Sequence, residues 1–235
     1  MDLHDIIDRI KNALIYIDTY SNITQSNART GQRYLVGLPP LYESTVTNAV
    51  SEWWNQNHLA DFLPRTKCFP EKPYPDVKRA KCDLTFSLNN GDQYAIEVKR
   101  IQLVGDNGKN NDYSIQKTIS PFLKDRSMIH DIIRLKHSAI AKKKFCIGYG
   151  FHFDFKTCAE SRSRFPEHTD RVNNILRVCK NNDGERGAYH LYPLIEMLDN
   201  YLKNQSIVSS LGVQEFESWR HPCGGKCVVF GWEVL

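Results

Sequence analysis

The sequence predicts an α/β protein built on a central mixed β-sheet flanked by helices, and three observations predict it. Apolar residues recur at helical spacing at Leu3, Ile6, Ile7, Ile10, Leu14 and Ile17; a hairpin pattern surrounds Asn89-Asn90-Gly91; and Phe145, Ile147, Tyr149, Phe151 and Phe153 alternate with period two. The resulting order, helix, short strand, strand, strand, helix, strand, mixes hairpin and crossover connections.

The first helix spans about residues 3–18, and the polar stretch SNITQSNARTGQR after it reads as a loop. Pro39-Pro40 punctuates the start of the next helix, where Val46, Val50, Trp53 and Trp54 share one stripe. A Pro- and Lys-rich segment follows, with a short strand expected at RTKCF, before the hairpin CDLTFSLNNGDQYAIEVKR at 82–100. The loop LVGDNGKNNDYS leads to helical periodicity from Ile115, then to a helix capped by Ser127 that is expected to run to about Lys142. The alternating KKFCIGYGFHFDF is a strand; helices are expected near DRVNNILRVC and LYPLIEMLDNYLK, and a last strand at KCVVFGWEVL.

The chain has 235 residues, enough for one domain with a full core, and one domain over 1–235 is expected. Its net charge of +4 permits a polyanionic partner without requiring one. No apolar run is long enough to cross a bilayer, and MDLHDIIDRIKN lacks the features of a secretory signal, so no membrane partner and a cytoplasmic location are expected. Seven cysteines at irregular spacing describe reduced, buried side chains rather than a disulfide framework.

The hairpin carries the chemistry. A two-residue turn at Asn90-Gly91 would set Asp83 against Val98 and Leu84 against Glu97, burying charge against apolar groups. A three-residue loop, with Gly91 in the left-handed position, sets Asp83 opposite Glu97, Leu84 opposite Ile96 and Phe86 opposite Tyr94, with Cys82, Leu84 and Phe86 on one face. The hydrophobic pattern selects this second register. Facing carboxylates repel, so a cation must sit with them; Lys99 lies on the same face, and two acids suit a hard divalent ion such as Mg²⁺. Glu43 falls on the buried stripe of its helix, whereas Glu52 falls on the polar side.

Asp83, thirteen intervening residues and Glu97-Val98-Lys99, on consecutive strands after an acid-bearing helix, resemble the PD-(D/E)xK nuclease superfamily over roughly residues 41–153. Cys82 stands where the motif's name has proline. The resemblance implies a restriction endonuclease-like core at about 41–153, with the N-terminal helix at 3–18 and a C-terminal extension over 154–235 as helical additions. It implies that Asp83 and Glu97 bind Mg²⁺, for which Mn²⁺ substitutes, that Lys99 orients or deprotonates the attacking water, and that Glu43 is the accessory helix acid. A lysine beside a metal ion is expected to have a lowered pKa, which suits a general base. The implied activity is Mg²⁺-dependent hydrolysis of double-stranded DNA by a homodimer resembling a Type II restriction endonuclease. A Holliday-junction resolvase, a repair or phage exonuclease, and a non-catalytic DNA-binding or assembly protein of the same fold are the alternatives.

Other patterns are weaker. His221, Cys223 and Cys227 resemble half a zinc site with no second knuckle. Lys78, Arg79, Lys81, Lys142, Lys143, Lys144, Arg162 and Arg164 are candidates for a phosphate track, and His152 and Asp154 for the edge of the site.

Overall fold

The computed structural model describes residues 1–123, 127–183 and 190–235. Seven helices and six strands are described: α1 (Leu3–Tyr20), α2 (Glu43–Asn57), β1 (Phe69–Pro73), β2 (Lys81–Ser87), β3 (Gln93–Ile101), α3 (Asp112–Ile119), α4 (Met128–His137), β4 (Lys143–His152), α5 (Phe155–Arg164), α6 (Thr169–Asp183), α7 (Tyr192–Asn204), β5 (Val208–Ser218) and β6 (Gly225–Val234). The strands form one mixed sheet in the order β1-β2-β3-β4-β6-β5. Only β3 and β4 run parallel, joined by the crossover through α3 and α4.

Each face of the sheet carries its own apolar layer. On one side Ile6, Ile10 and Leu14 of α1 and Val46, Val50 and Trp54 of α2 pack with Leu84, Phe86, Tyr94, Ile96 and Phe145. On the other, Ile132 and Leu135 of α4 and Ile195, Leu198 and Leu202 of α7 pack with Ala95, Cys146, Phe230 and Trp232. Burial of both faces leaves β4 buried from Phe145 to His152 despite its alternating pattern, and gives β6 a near-continuous apolar run.

The hairpin adopts the register that the hydrophobic pattern selects: Leu84 pairs with Ile96 and Phe86 with Tyr94. The Gly91 N–H bonds the Leu88 carbonyl at 2.8 Å and the Leu88 N–H bonds the Asp92 carbonyl at 2.9 Å, closing a loop over Asn89, Asn90 and Gly91. Gly91 has φ +84° with nothing within 4 Å of where a Cβ would sit. Gly91→Ala therefore meets no clash, only the left-handed penalty of about 1–2 kcal/mol. A melting curve should show Tm about 2–8 °C lower, at 2–4 °C per kcal/mol for a domain of this size.

Four expectations are corrected. The first strand is Phe69–Pro73 rather than 65–69. Helix α4 stops at His137, short of Lys142, because the Asp76 carboxylate accepts the Ala139 N–H at 2.8 Å and the Ser138 hydroxyl at 2.7 Å. Residues 154–235 are not merely helical additions: β6 lies inside the sheet between β4 and β5, and α1 packs on both β5 and β6. Cys82 does not share a face with Leu84 and Phe86; it packs with Ala95 and Cys146 on the opposite side, so alternation breaks at Asp83.

Candidate active site

The site forms where β2 parts from β3. Their ladder runs from Ser87↔Gln93 to Leu84↔Ile96 and ends one pair short of Asp83 and Glu97. Alternate N–H groups of a strand point to the same neighbour, so those of Val98 and Arg100 lose their partners on β2. Two carboxylates replace them. Asp83 Oδ2 accepts the Val98 N–H at 2.7 Å, and Glu43 Oε2, from the first turn of α2, accepts the Arg100 N–H at 2.8 Å. The Arg100 guanidinium in turn bonds the carbonyls of Pro39 and Leu41, tying the entry of α2 to the same strand.

Glu97 and Lys99 meet α4. The Lys99 ammonium lies 2.9 Å from Glu43 Oε1 and 2.9 Å from Asp131 Oδ2. Arg134 Nη2 lies 2.9 Å from Glu97 Oε1 and 2.7 Å from Asp131 Oδ1, and the Tyr74 hydroxyl donates to the same Glu97 oxygen at 2.5 Å. The network thus sets four carboxylates, Glu43, Asp83, Glu97 and Asp131, against two cations, Lys99 and Arg134. With all four ionised, two negative charges are in excess. Glu97 is only 3% exposed, so the imbalance sits in a poorly solvated place.

The ionisation of these groups records that imbalance. Burial, then the charges of Glu97 and Glu43, hold the Asp83 carboxyl well above the usual range, against the Val98 N–H that lowers it. The two carboxyl groups also stand within hydrogen-bonding reach of one another. Burial and Asp131 raise Glu97, while Arg134 and Tyr74 oppose them. For Lys99, burial alone favours the neutral amine, but Glu43 and Asp131 outweigh it and the ammonium is raised. Held between two carboxylates, Lys99 is a fixed positive charge.

All four residues picked from the sequence, Asp83, Glu97, Lys99 and Glu43, meet in this network. Three were missed. Asp131 carried a readable signal, since it lies three residues after Met128 and four before Leu135 on the buried stripe of α4. Arg134 and Tyr74 carried none, because their contacts with Glu97 span 37 and 23 residues of chain.

The basic residues do not make one track. Lys143 pairs with Tyr94 and Gly148 with Lys99, so Lys142, Lys143 and Lys144 lie about 13–20 Å from Lys99 along the strands, at 3.3 Å per residue. Lys143 is paired with Glu233 and Lys81 with Glu71, while Arg164 covers Trp219. Lys78 and Arg79 are exposed in the turn closed by Tyr74 and Ala80, whose Tyr74 hydroxyl bonds Glu97. Asp154 caps α5, and His152 lines a separate cavity of about 850 Å³ with His190, Tyr192, Glu215 and Lys226. The half zinc site is not formed: His221 Nδ1 accepts the Cys223 N–H at 2.9 Å and its Nε2 bonds Asp106 at 2.7 Å.

Asp83 and Glu97 fit a hard divalent cation. One oxygen of each is held by protein donors, the other carries no N–H or O–H donor among the described residues, and the local excess of negative charge is of the right sign and size. Among the described residues no group of three His, Cys, Asp or Glu side chains is arranged to hold a metal by itself, so water would complete the set. No helix is long and apolar enough to cross a membrane among the described residues. In comparison with known proteins, no protein-family model, curated protein or solved structure matches the chain.

Proposed function

We propose that this chain is a divalent-cation-dependent nuclease that hydrolyses DNA phosphodiester bonds, with a restriction endonuclease-like core and a mode of action like that of Type II restriction endonucleases. The observation that carries the reading is the meeting of Asp83 and Glu97 with the Lys99 ammonium and the helix acid Glu43 at the point where β2 leaves β3. The antiparallel hairpin, the helical crossover and parallel β4 follow the element order that the resemblance implies.

Asp83 and Glu97 would hold Mg²⁺ or Mn²⁺, which when bound supplies Lewis acidity and an activated water. Lys99 would offer its charge to the scissile phosphate, where negative charge develops in the transition state. Glu43 and Asp131 fix the ammonium from two sides, which removes the cost of orienting it during reaction. Cutting both strands with one site per chain calls for a homodimer. Incubation with plasmid and with branched duplexes in Mg²⁺ tests the reading: discrete plasmid fragments support restriction, and selective cutting of branches supports a resolvase. Cleavage that survives Asp83→Asn would sink the assigned site.

One observation favours the non-catalytic alternative: Lys99 and Arg134 are each already paired with two carboxylates, as in a structural ion-pair cluster. Calorimetry with Mg²⁺ separates the two, since a structural cluster takes up no cation.

Lys78 and Arg79 are the phosphate contacts this reading favours. Against a non-cleaving Asp83→Asn background, Lys78→Ala with Arg79→Ala should flatten the log–log salt dependence of duplex binding by about 2, at ~0.9 per phosphate. Fluorescence anisotropy at several salt concentrations measures it.

A further inference from the structure

Glu97 is held in an unusual way for a proposed metal ligand. Both protein donors that reach it, the Tyr74 hydroxyl and Arg134 Nη2, bind the same oxygen, Oε1. The Arg134 guanidinium also stacks over the Tyr74 ring at 5.1 Å, and Asp131, three residues earlier on α4, is its second carboxylate partner. Glu97 is therefore clamped on one oxygen, and no protein donor among the described residues holds Oε2. Asp83 is held more lightly, by the single Val98 N–H on Oδ2.

With both acceptor positions of Oε1 occupied, Glu97 can give a cation only Oε2, whereas Asp83 Oδ2, holding one N–H, keeps a second acceptor position. Mg²⁺ and Mn²⁺ accept such a set, since a six-coordinate ion bound by one or two carboxylates keeps several waters; Ca²⁺ prefers six to eight oxygens and gains from bidentate carboxylates. We propose that Tyr74 and Arg134 are positioning residues that set the cation preference of the site, by denying Glu97 the bidentate mode that Ca²⁺ uses. This inference rests on the nuclease reading of the site and goes beyond it, because neither residue belongs to the motif. Neither touches the reacting atoms; each acts through Glu97.

The experiment titrates MgCl₂ and CaCl₂ by calorimetry into the full chain, as wild type, Tyr74→Phe, Arg134→Met and the double variant. The readout is the ratio of the two dissociation constants, because removing Arg134 raises local negative charge and strengthens binding of every divalent ion alike. The ratio of the Ca²⁺ to the Mg²⁺ constant is expected to fall about tenfold in the double variant, the lower end of what outer residues of metal sites contribute, with Tyr74→Phe between it and wild type. Mg²⁺ binding retained throughout with an unchanged ratio overturns the proposal and leaves the nuclease reading standing. Wild type that binds neither cation overturns both. Arg134→Met strips a partner from two buried acids; if it fails to fold, Tyr74→Phe alone decides, since it removes a single hydroxyl.

Discussion

Asp83→Asn is expected to abolish cleavage and yet make the protein more stable. Loss of a cation ligand removes several kcal/mol of transition-state stabilisation, so the rate should fall on the order of 10³-fold. The stability gain follows from linkage. The Asp83 carboxyl is raised in the folded state by burial and by its acidic neighbours, so its contribution is fully present below the unfolded pKa near 3.8 and is lost as pH rises through the folded value. Asparagine keeps an oxygen for the Val98 N–H and an amide donor toward Glu97, and it never acquires the charge. The variant should match wild type near pH 4 and exceed it increasingly at higher pH, with Tm about 2–4 °C up where the gain reaches ~1 kcal/mol. Mg²⁺ inverts the order: at 100 times its Kd the ion stabilises wild type by about 2.7 kcal/mol and leaves the variant unmoved. Thermal melts across pH, with and without Mg²⁺, check all three statements.

Lys99→Met is expected to abolish cleavage too, with the opposite effect on stability. Its side chain, 13% exposed, brings the ammonium between Glu43 and Asp131, whose side chain is 7% exposed. Removing one member of a buried pair strands the other charge, at a cost of about 3–5 kcal/mol. In a domain of this size Tm should drop by roughly 6–20 °C. Because Lys99 is raised when folded, its contribution is complete below the unfolded lysine value and fades only as pH rises through the folded one. The deficit of the variant should therefore persist across neutral pH. Adding Asp131→Asn should restore part of the stability, since one stranded carboxylate is gone, and none of the activity, since the positive charge is still missing. A variant as stable as wild type would mean that Lys99 is a solvated strand lysine. Activity that survives would remove it from the chemistry.

The hairpin from Leu84 to Ile96 was legible because what sets its geometry is local, while Cys82, beyond the break in alternation at Asp83, falls on the other face. Gly91 occupies the left-handed position of the loop, period-two alternation matches Leu84 with Ile96, and from these the register places Asp83, Glu97 and Lys99 together. Glu43 was legible by helical periodicity, and Asp131 obeys the same rule on α4. Strand β5 escaped notice because it is a half-exposed edge strand, and α5 because its buried side chains, Thr157, Cys158 and Ser161, are small.

What the sequence by itself determined, then, is which charges share the strand face, since turn chemistry and side-chain alternation act over a few residues. Tertiary structure decided what those charges do to one another. The parting of β2 from β3 turns Asp83 and Glu43 into acceptors for Val98 and Arg100, and α4 delivers Asp131 to Lys99 and Arg134 to Glu97. The sign of the Lys99 shift depends on carboxylates 56 and 32 residues away in the chain, Glu43 and Asp131, whose fields act through space and leave no mark on the spacing of the motif.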